Sequence, residues 1–144
     1  MQWDDINWEK TEYSPRKAYG QSKLANVLFS KELARRLKES GDKINVYCLH
    51  PGVVNTELWR HIGHRPGVMY AVRAKVITFF LNSFFKTPES GAQTTIFCAV
   101  DESIANESGL YYSDCQEKKP SDRALNEDDA RRLWKLSEQL TGLN

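Results

Sequence analysis

From Pro15 to Gly41 the apolar positions of the chain recur at a helical period, and on two sides rather than one. Leu24 and Leu28 fall on one side. Tyr19, Lys23, Asn26, Ser30, Ala34 and Leu37 fall on nearly the opposite side, small or polar toward the start and apolar toward the end. The pattern predicts a helix from about Arg16 to Ser40, with Pro15 pre-set for the first turn and Gly41 free to take the left-handed exit. A helix apolar on two sides is buried on two sides, here by its own sheet and by a second copy of the chain meeting Leu24 and Leu28. Met1 to about Lys17 shows no period and reads as loop.

Gly41 and Asp42 turn the chain into INVYCLH (Ile44 to His50), a short apolar run that suits a buried parallel strand. Farther on, VMYAVRAKVITFFLNSFF (Val68 to Phe85) is apolar but broken by Arg73 and Lys75, so it reads as a lid helix or a membrane-surface helix and not as a span. Thr87 as N-cap, Pro88 at the first helical position and Glu89 in the first turn announce a helix through Val100, with Gly91 and Ala92 small enough for close packing. GLYYS (Gly109 to Ser113) is a second short strand. NEDDARRLWKLSEQLTG closes the chain as an amphipathic helix, with Asn126 and Asp129 placed like a capping box. The order helix, strand, helices, strand, helix defines an α/β chain with parallel strands joined by helical crossovers. Two strands are too few to support such a set of helices, so part of the sheet is expected to be missing.

Composition changes this picture little. The chain has 144 residues, 40% apolar and 27% charged, as ordinary globular domains do. Its 20 basic and 19 acidic residues leave a formal charge of +1, which removes nucleic acid from the expected partners. Cys48, Cys98 and Cys115 lie far apart, without the spacing of a zinc site or the density of a disulfide scaffold, which favours a reducing, intracellular compartment. MQWDDINWEK is not a signal peptide, and no membrane span is expected. His61 and His64 (HIGH) read as loop around Gly63, so no metal site is expected.

The candidate chemistry begins at YGQSK. Four residues apart on one helix, Tyr19 and Lys23 are neighbours, with Cβ atoms ~5–6 Å apart. A phenol ordinarily titrates near ~10, and a cation beside it stabilises its anion. Lowering that value by about three units needs roughly 4 kcal/mol, more than one exposed ammonium supplies. A second positive charge is required, and an oxidised nicotinamide ring would provide one. Tyr13 and Lys17 repeat the spacing, but Pro15 between them marks the helix start and breaks the turn. HPGVVNTEL follows the first strand directly. Pro51 ends pairing, Gly52 permits close backbone approach, and Thr56 offers a hydroxyl where open α/β sheets bind ligands.

With YGQSK followed by LHPGVVNT, the sequence resembles the short-chain dehydrogenase/reductases. YGQSKLANVLFSKELARRL, TPESGAQTTIF and GLYYSDC together resemble the retinol dehydrogenase branch, over nearly the whole chain. The resemblance implies a Rossmann-type doubly wound fold, of which residues 1–144 are the C-terminal part of one domain, with the N-terminal half of the sheet absent. It implies an oxidoreductase that interconverts a hydrophobic, retinol-like alcohol and its carbonyl, with NADP favoured over NAD. Tyr19 would be the catalytic acid/base. Lys23 would hold the phenol and the nicotinamide ribose, and Pro51, Gly52, Val54 and Thr56 would lie along the nicotinamide and its neighbouring phosphates. Val68 to Phe85 would be the substrate lid or a membrane-surface contact, consistent with a place in the cytoplasm or on the cytoplasmic face of the endoplasmic reticulum. The family's Thr-Gly-x-x-x-Gly-x-Gly turn, its Asn-Asn-Ala-Gly strand and the serine that precedes the tyrosine are not among these residues. The alternative expectation is therefore a catalytically inactive remnant that pairs with another subunit through Leu24 and Leu28.

Overall fold

A computed structural model describes residues 1–54 and 85–143. Thr56, His61, His64 and the stretch 68–84 lie outside the described residues. Among the described residues three α-helices, α1 (Pro15–Ser40), α2 (Pro88–Val100) and α3 (Glu127–Thr141), accompany three strands, β1 (Tyr47–His50), β2 (Leu110–Ser113) and β3 (Gln116–Glu117). The strands form one sheet in the order β1-β2-β3, so β1 lies at an edge among the described residues. The α/β class expected from the pattern holds, but the sheet is mixed rather than wholly parallel. The difference comes from β3, which returns along β2 through a two-residue turn. That turn is Asp114 and Cys115, both in the left-handed region at φ 55° and 56°, the conformation a tight hairpin of this twist requires.

The helices begin and end as their sequences dictate. Pro15 opens α1, and Gly41, at φ 82°, closes it, with Asp42 N–H donating to Leu37 O at 3.0 Å. Thr87 Oγ1 caps α2 by accepting from Ser90 N–H at 3.2 Å, and Asn126 Oδ1 caps α3 by accepting from Asp129 N–H at 3.0 Å. β1 starts later than the apolar run suggested. Asn45 Nδ2 donates to Ala105 O and Val46 N–H to Ser108 Oγ, so these residues are committed to the 105–108 segment before the ladder begins, and Ile44 stays 59% exposed.

Two compact units divide the chain. The first comprises Met1–Cys48, Glu102–Tyr111 and Glu117–Asn144. Its core is Leu28, Ala130 and Leu133, with Met1, Trp3, Leu24 and Ala25 packed against it. The expectation that Leu24 and Leu28 face a second subunit is thereby corrected. Leu28 is fully buried within the chain by α3 and the N-terminal segment, and Trp3 lies on Arg132 of α3, 4.6 Å from guanidinium carbon to ring centroid. Burying a leucine in this way contributes about 2 kcal/mol, so exposing the face for pairing would forfeit it. Phe29 of α1 stacks on Trp134 of α3 at 5.1 Å, and Arg36 covers the same indole. Beside them Glu32, buried, accepts from Arg35 Nε and Nη2 and from Arg36 Nε, each at 2.8 Å. The Arg35 hydrogen bonds and, less, the one from Arg36 outweigh burial and hold its carboxyl at about 2, well below the usual carboxylate range.

The second unit comprises Leu49–Asp101 and Tyr112–Gln116. Within it Gly91 of α2 lies against Val54, and Phe97 packs against Tyr112 at 6.0 Å between rings.

Candidate functional site

The first unit carries the tyrosine and the lysine. Both lie in the opening turns of α1, and the one-turn spacing brings them together: Lys23 Nζ stands 5.3 Å from the centroid of the Tyr19 ring, over its face. Tyr19 is 58% exposed, and its hydroxyl has no hydrogen-bond partner among the described residues. The side chain of Ser22 does not compete for it, because Ser22 Oγ donates to Tyr19 O at 2.8 Å. An accessible phenol held beside an ammonium can exchange a proton with a ligand oxygen that reaches it.

The turn that bears this pair is pinned from the N-terminal side by residues with no motif of their own. Gln21, between Tyr19 and Lys23, accepts from Gln2 N–H at 2.9 Å and donates to Ile6 O at 3.0 Å. The segment that makes these bonds is folded around Asp5, whose carboxylate accepts from the N–H groups of Glu9, Lys10 and Thr11 and from the Thr11 hydroxyl at 2.7–3.0 Å. Burial opposes ionisation of Asp5, but these hydrogen bonds together hold its carboxyl below the ordinary value. The stretch read as plain loop is therefore an ordered brace. An aspartate followed by a threonine six residues on was its only trace in the sequence.

The second unit carries the glycine loop. Pro51 is exposed, Gly52 and Val54 are half-buried, and Gly52 takes φ +86°, which favours glycine there. Gly52 is approached closely by Lys86, whose Cδ lies 2.9 Å from where a Cβ would stand. Val53 O accepts from Lys86 N–H at 2.9 Å, and Val54 forms an isolated parallel bridge to Lys86. Gly91 lets α2 approach Val54 so closely that a Cβ there would fall 2.5 Å from Val54 Cγ2. Thr56, expected to complete this loop, lies outside the described residues. Lys86 and Gly91 were not read as site residues, since no spacing marks them.

An open cavity of about 530 Å³ in the first unit is lined in part by the far end of α1 (Glu32, Arg35, Lys38) and not by Tyr19 or Lys23. Among the described residues no group of His, Cys, Asp and Glu could hold a metal, and no helix is long and apolar enough to cross a membrane.

With its pair on α1 and its glycine loop after β1, the chain proves similar in sequence to the retinol dehydrogenases, members of the short-chain dehydrogenase/reductase family. In particular, it is 43% identical to human retinol dehydrogenase 13 over 143 residues, 99% of this chain and 42% of that protein. Human retinol dehydrogenase 14 is 42% identical over 143 residues, 99% of this chain and 40% of the relative. Mouse retinol dehydrogenase 11 is 46% identical over 131 residues, 91% of this chain and 38% of the relative. The chain thus spans 38–42% of the length of these curated relatives. A crystal structure of an uncharacterized protein from Mycobacterium paratuberculosis matches the fold with a TM-score of 0.67 at 32% identity, covering 96% of this chain and 44% of that one. No family model matches the chain.

Proposed function

We infer that this chain carries the acid–base and nicotinamide-facing part of an NADP-linked oxidoreductase interconverting a hydrophobic, retinoid-like alcohol and its carbonyl. The observation that carries the reading is the exposed Tyr19 hydroxyl with the Lys23 ammonium over its ring. The relatives named retinol dehydrogenase support the substrate class. NADP in preference to NAD follows from the resemblance to that branch, as does action in the cytoplasm or on the cytoplasmic face of the endoplasmic reticulum. In this reading the mixed sheet is the C-terminal part of a Rossmann-type doubly wound fold within one domain.

The chemistry of the residues present suits one end of the cofactor in this reading. Lys23 would offer three donors to ribose hydroxyls, and Pro51, Gly52 and Val54, in the loop after β1, would lie along the nicotinamide, with Thr56 assigned to the same end by resemblance. The glycine-rich turn that would receive the pyrophosphate at a helix N-terminus is not among the 144 residues. When bound, the nicotinamide accepts or supplies the hydride. Tyr19 takes the proton from the alcohol oxygen in oxidation and returns it to the carbonyl oxygen in reduction, with the Lys23 ammonium held over its ring.

A chimera in which this chain replaces the matching residues of human retinol dehydrogenase 13 tests the reading. It is expected to reduce retinal with NADPH in preference to NADH, and Tyr19→Phe is expected to lower turnover by ~10²–10⁴ with little change in NADPH affinity. A chimera that melts cooperatively yet reduces no retinal, or a Tyr19→Phe variant within threefold of its parent, overturns it.

A further inference from the structure

Lys86 reaches the loop after β1 by three separate means. Its N–H donates to Val53 O at 2.9 Å and its backbone bridges to Val54. Its side chain then runs along Gly52, with Cδ, Cε and Nζ at 2.9, 3.0 and 3.3 Å from the position a Cβ would take. At its far end the ammonium is ion-paired with Asp114. Both supports are themselves fixed. Lys86 directly precedes Thr87, the cap of α2. Asp114 opens the β2–β3 turn at φ 55°, and its neighbour Cys115 donates N–H to Thr94 Oγ1 of α2 at 3.4 Å. One side of the Pro51–Val54 backbone is therefore lined by a lysine stem tied down at both ends.

We propose that Lys86, held by Asp114, is a positioning residue for the Pro51–Val54 loop: its stem supports the left-handed turn at Gly52 and so aims the backbone that receives the nicotinamide end of the cofactor. Lys86 acts through the loop and not on the ligand, because its charge is matched by Asp114 and its stem occupies the side of Gly52 that a side chain would have filled. The role of the loop rests on the function inferred above, whereas the clamp itself stands on contacts within the chain.

Two measurements separate them. In the 144-residue chain, hydrogen exchange of the residue 86 amide, corrected for its intrinsic rate, is expected to quicken about threefold in Lys86→Met, which keeps the stem and removes the charge. Asp114→Asn should do the same, the double variant should do no more than either, and Lys86→Arg should stay near the parent; a surface ion pair of this exposure supports an effect of this size. In the chimera, Lys86→Met and Asp114→Asn are each expected to raise the KM for NADPH about fivefold with kcat within twofold, and Lys86→Arg to restore it. Additive exchange effects, unchanged exchange, or a lowered melting temperature with an unmoved KM overturns the proposal. If the unmutated chimera uses no NADPH, the inferred function fails, and the exchange comparison alone decides whether Lys86 clamps the loop.

Discussion

Replacing Gly91 by alanine tests how the glycine loop is held, because two opposing effects of known size meet at one atom. In α2 the new methyl favours the helix by about 1 kcal/mol over glycine. The same methyl would stand 2.5 Å from Val54 Cγ2 and 3.2 Å from Cγ1, against an optimal carbon–carbon separation of ~3.5–4.0 Å. Val54 must then retreat by roughly 1 Å, and forced repacking of this kind costs about 1–3 kcal/mol. The expected net effect of Gly91→Ala is a loss of about 0–2 kcal/mol. In a Val54→Ala background the two offending carbons are gone and the remaining Cβ contact, 3.5 Å, is ordinary, so Gly91→Ala should stabilise by up to about 1 kcal/mol. Urea denaturation of the four proteins gives the coupling directly, and it should fall at about 1–3 kcal/mol. If Gly91→Ala stabilises equally in both backgrounds, α2 does not bear on Val54 and this account of the loop is wrong.

Other perturbations reach other parts of the chain. Lys23→Met in the chimera should lower turnover and weaken NADPH binding together, since one ammonium serves phenol and ribose; an unaltered cofactor dissociation constant would contradict that double duty. Glu32 has a folded carboxyl near 2 and an unfolded one near 4.5, so its contribution is complete above about pH 5 and is lost as the pH falls through the folded value. With its arginines a third exposed, Glu32→Gln should cost about 1–3 kcal/mol at pH 7 and flatten the fall of melting temperature between pH 5 and 2; an acid limb as steep as the parent's would refute this. Asp5 is likewise held below its ordinary value, so its support of the N-terminal brace is present above about pH 4 and disappears as acid protonates it. Asp5→Asn should speed proteolysis between Ile6 and Tyr13 several-fold at neutral pH, and unchanged cleavage would show that the brace stands without the charge.

Local chemistry was the legible part of this chain. Pro15 and Gly41, Thr87 and Asn126 set helix ends whose causes lie within one turn, and Tyr19 with Lys23 needed only the helical period to be brought together. What stayed hidden depended on distant partners. The strand at Ile44 lost its first residues because Asn45 and Val46 bond to residues 105 and 108. β3 escaped notice because its turn, Asp114-Cys115, adopts a glycine-like conformation without a glycine. The side of α1 carrying Leu24 and Leu28 was correctly read as apolar but assigned to the wrong cover, since periodicity shows that a face is buried and not by what. Lys86 illustrates the same limit: a lone lysine before a cap becomes informative only once Gly52 and Asp114 are seen beside it.

The edge position of β1 also orders events in time. β3 follows β2 across two residues, so that pair closes on the microsecond scale of hairpins. β1 ends at His50 and β2 begins at Leu110, on the order of 60 residues later, about five doublings of loop length beyond the two-residue turn and so about 3 kcal/mol more in closure entropy. The hairpin therefore stands ready before its neighbour arrives, and β1 is the late guest in its own sheet. Pro51 and Gly52 trail directly behind that last strand. The loop assigned to the cofactor is thus held by the pairing that closes the longer loop, and a ligand that grips it would favour chains in which β1 has already joined the hairpin.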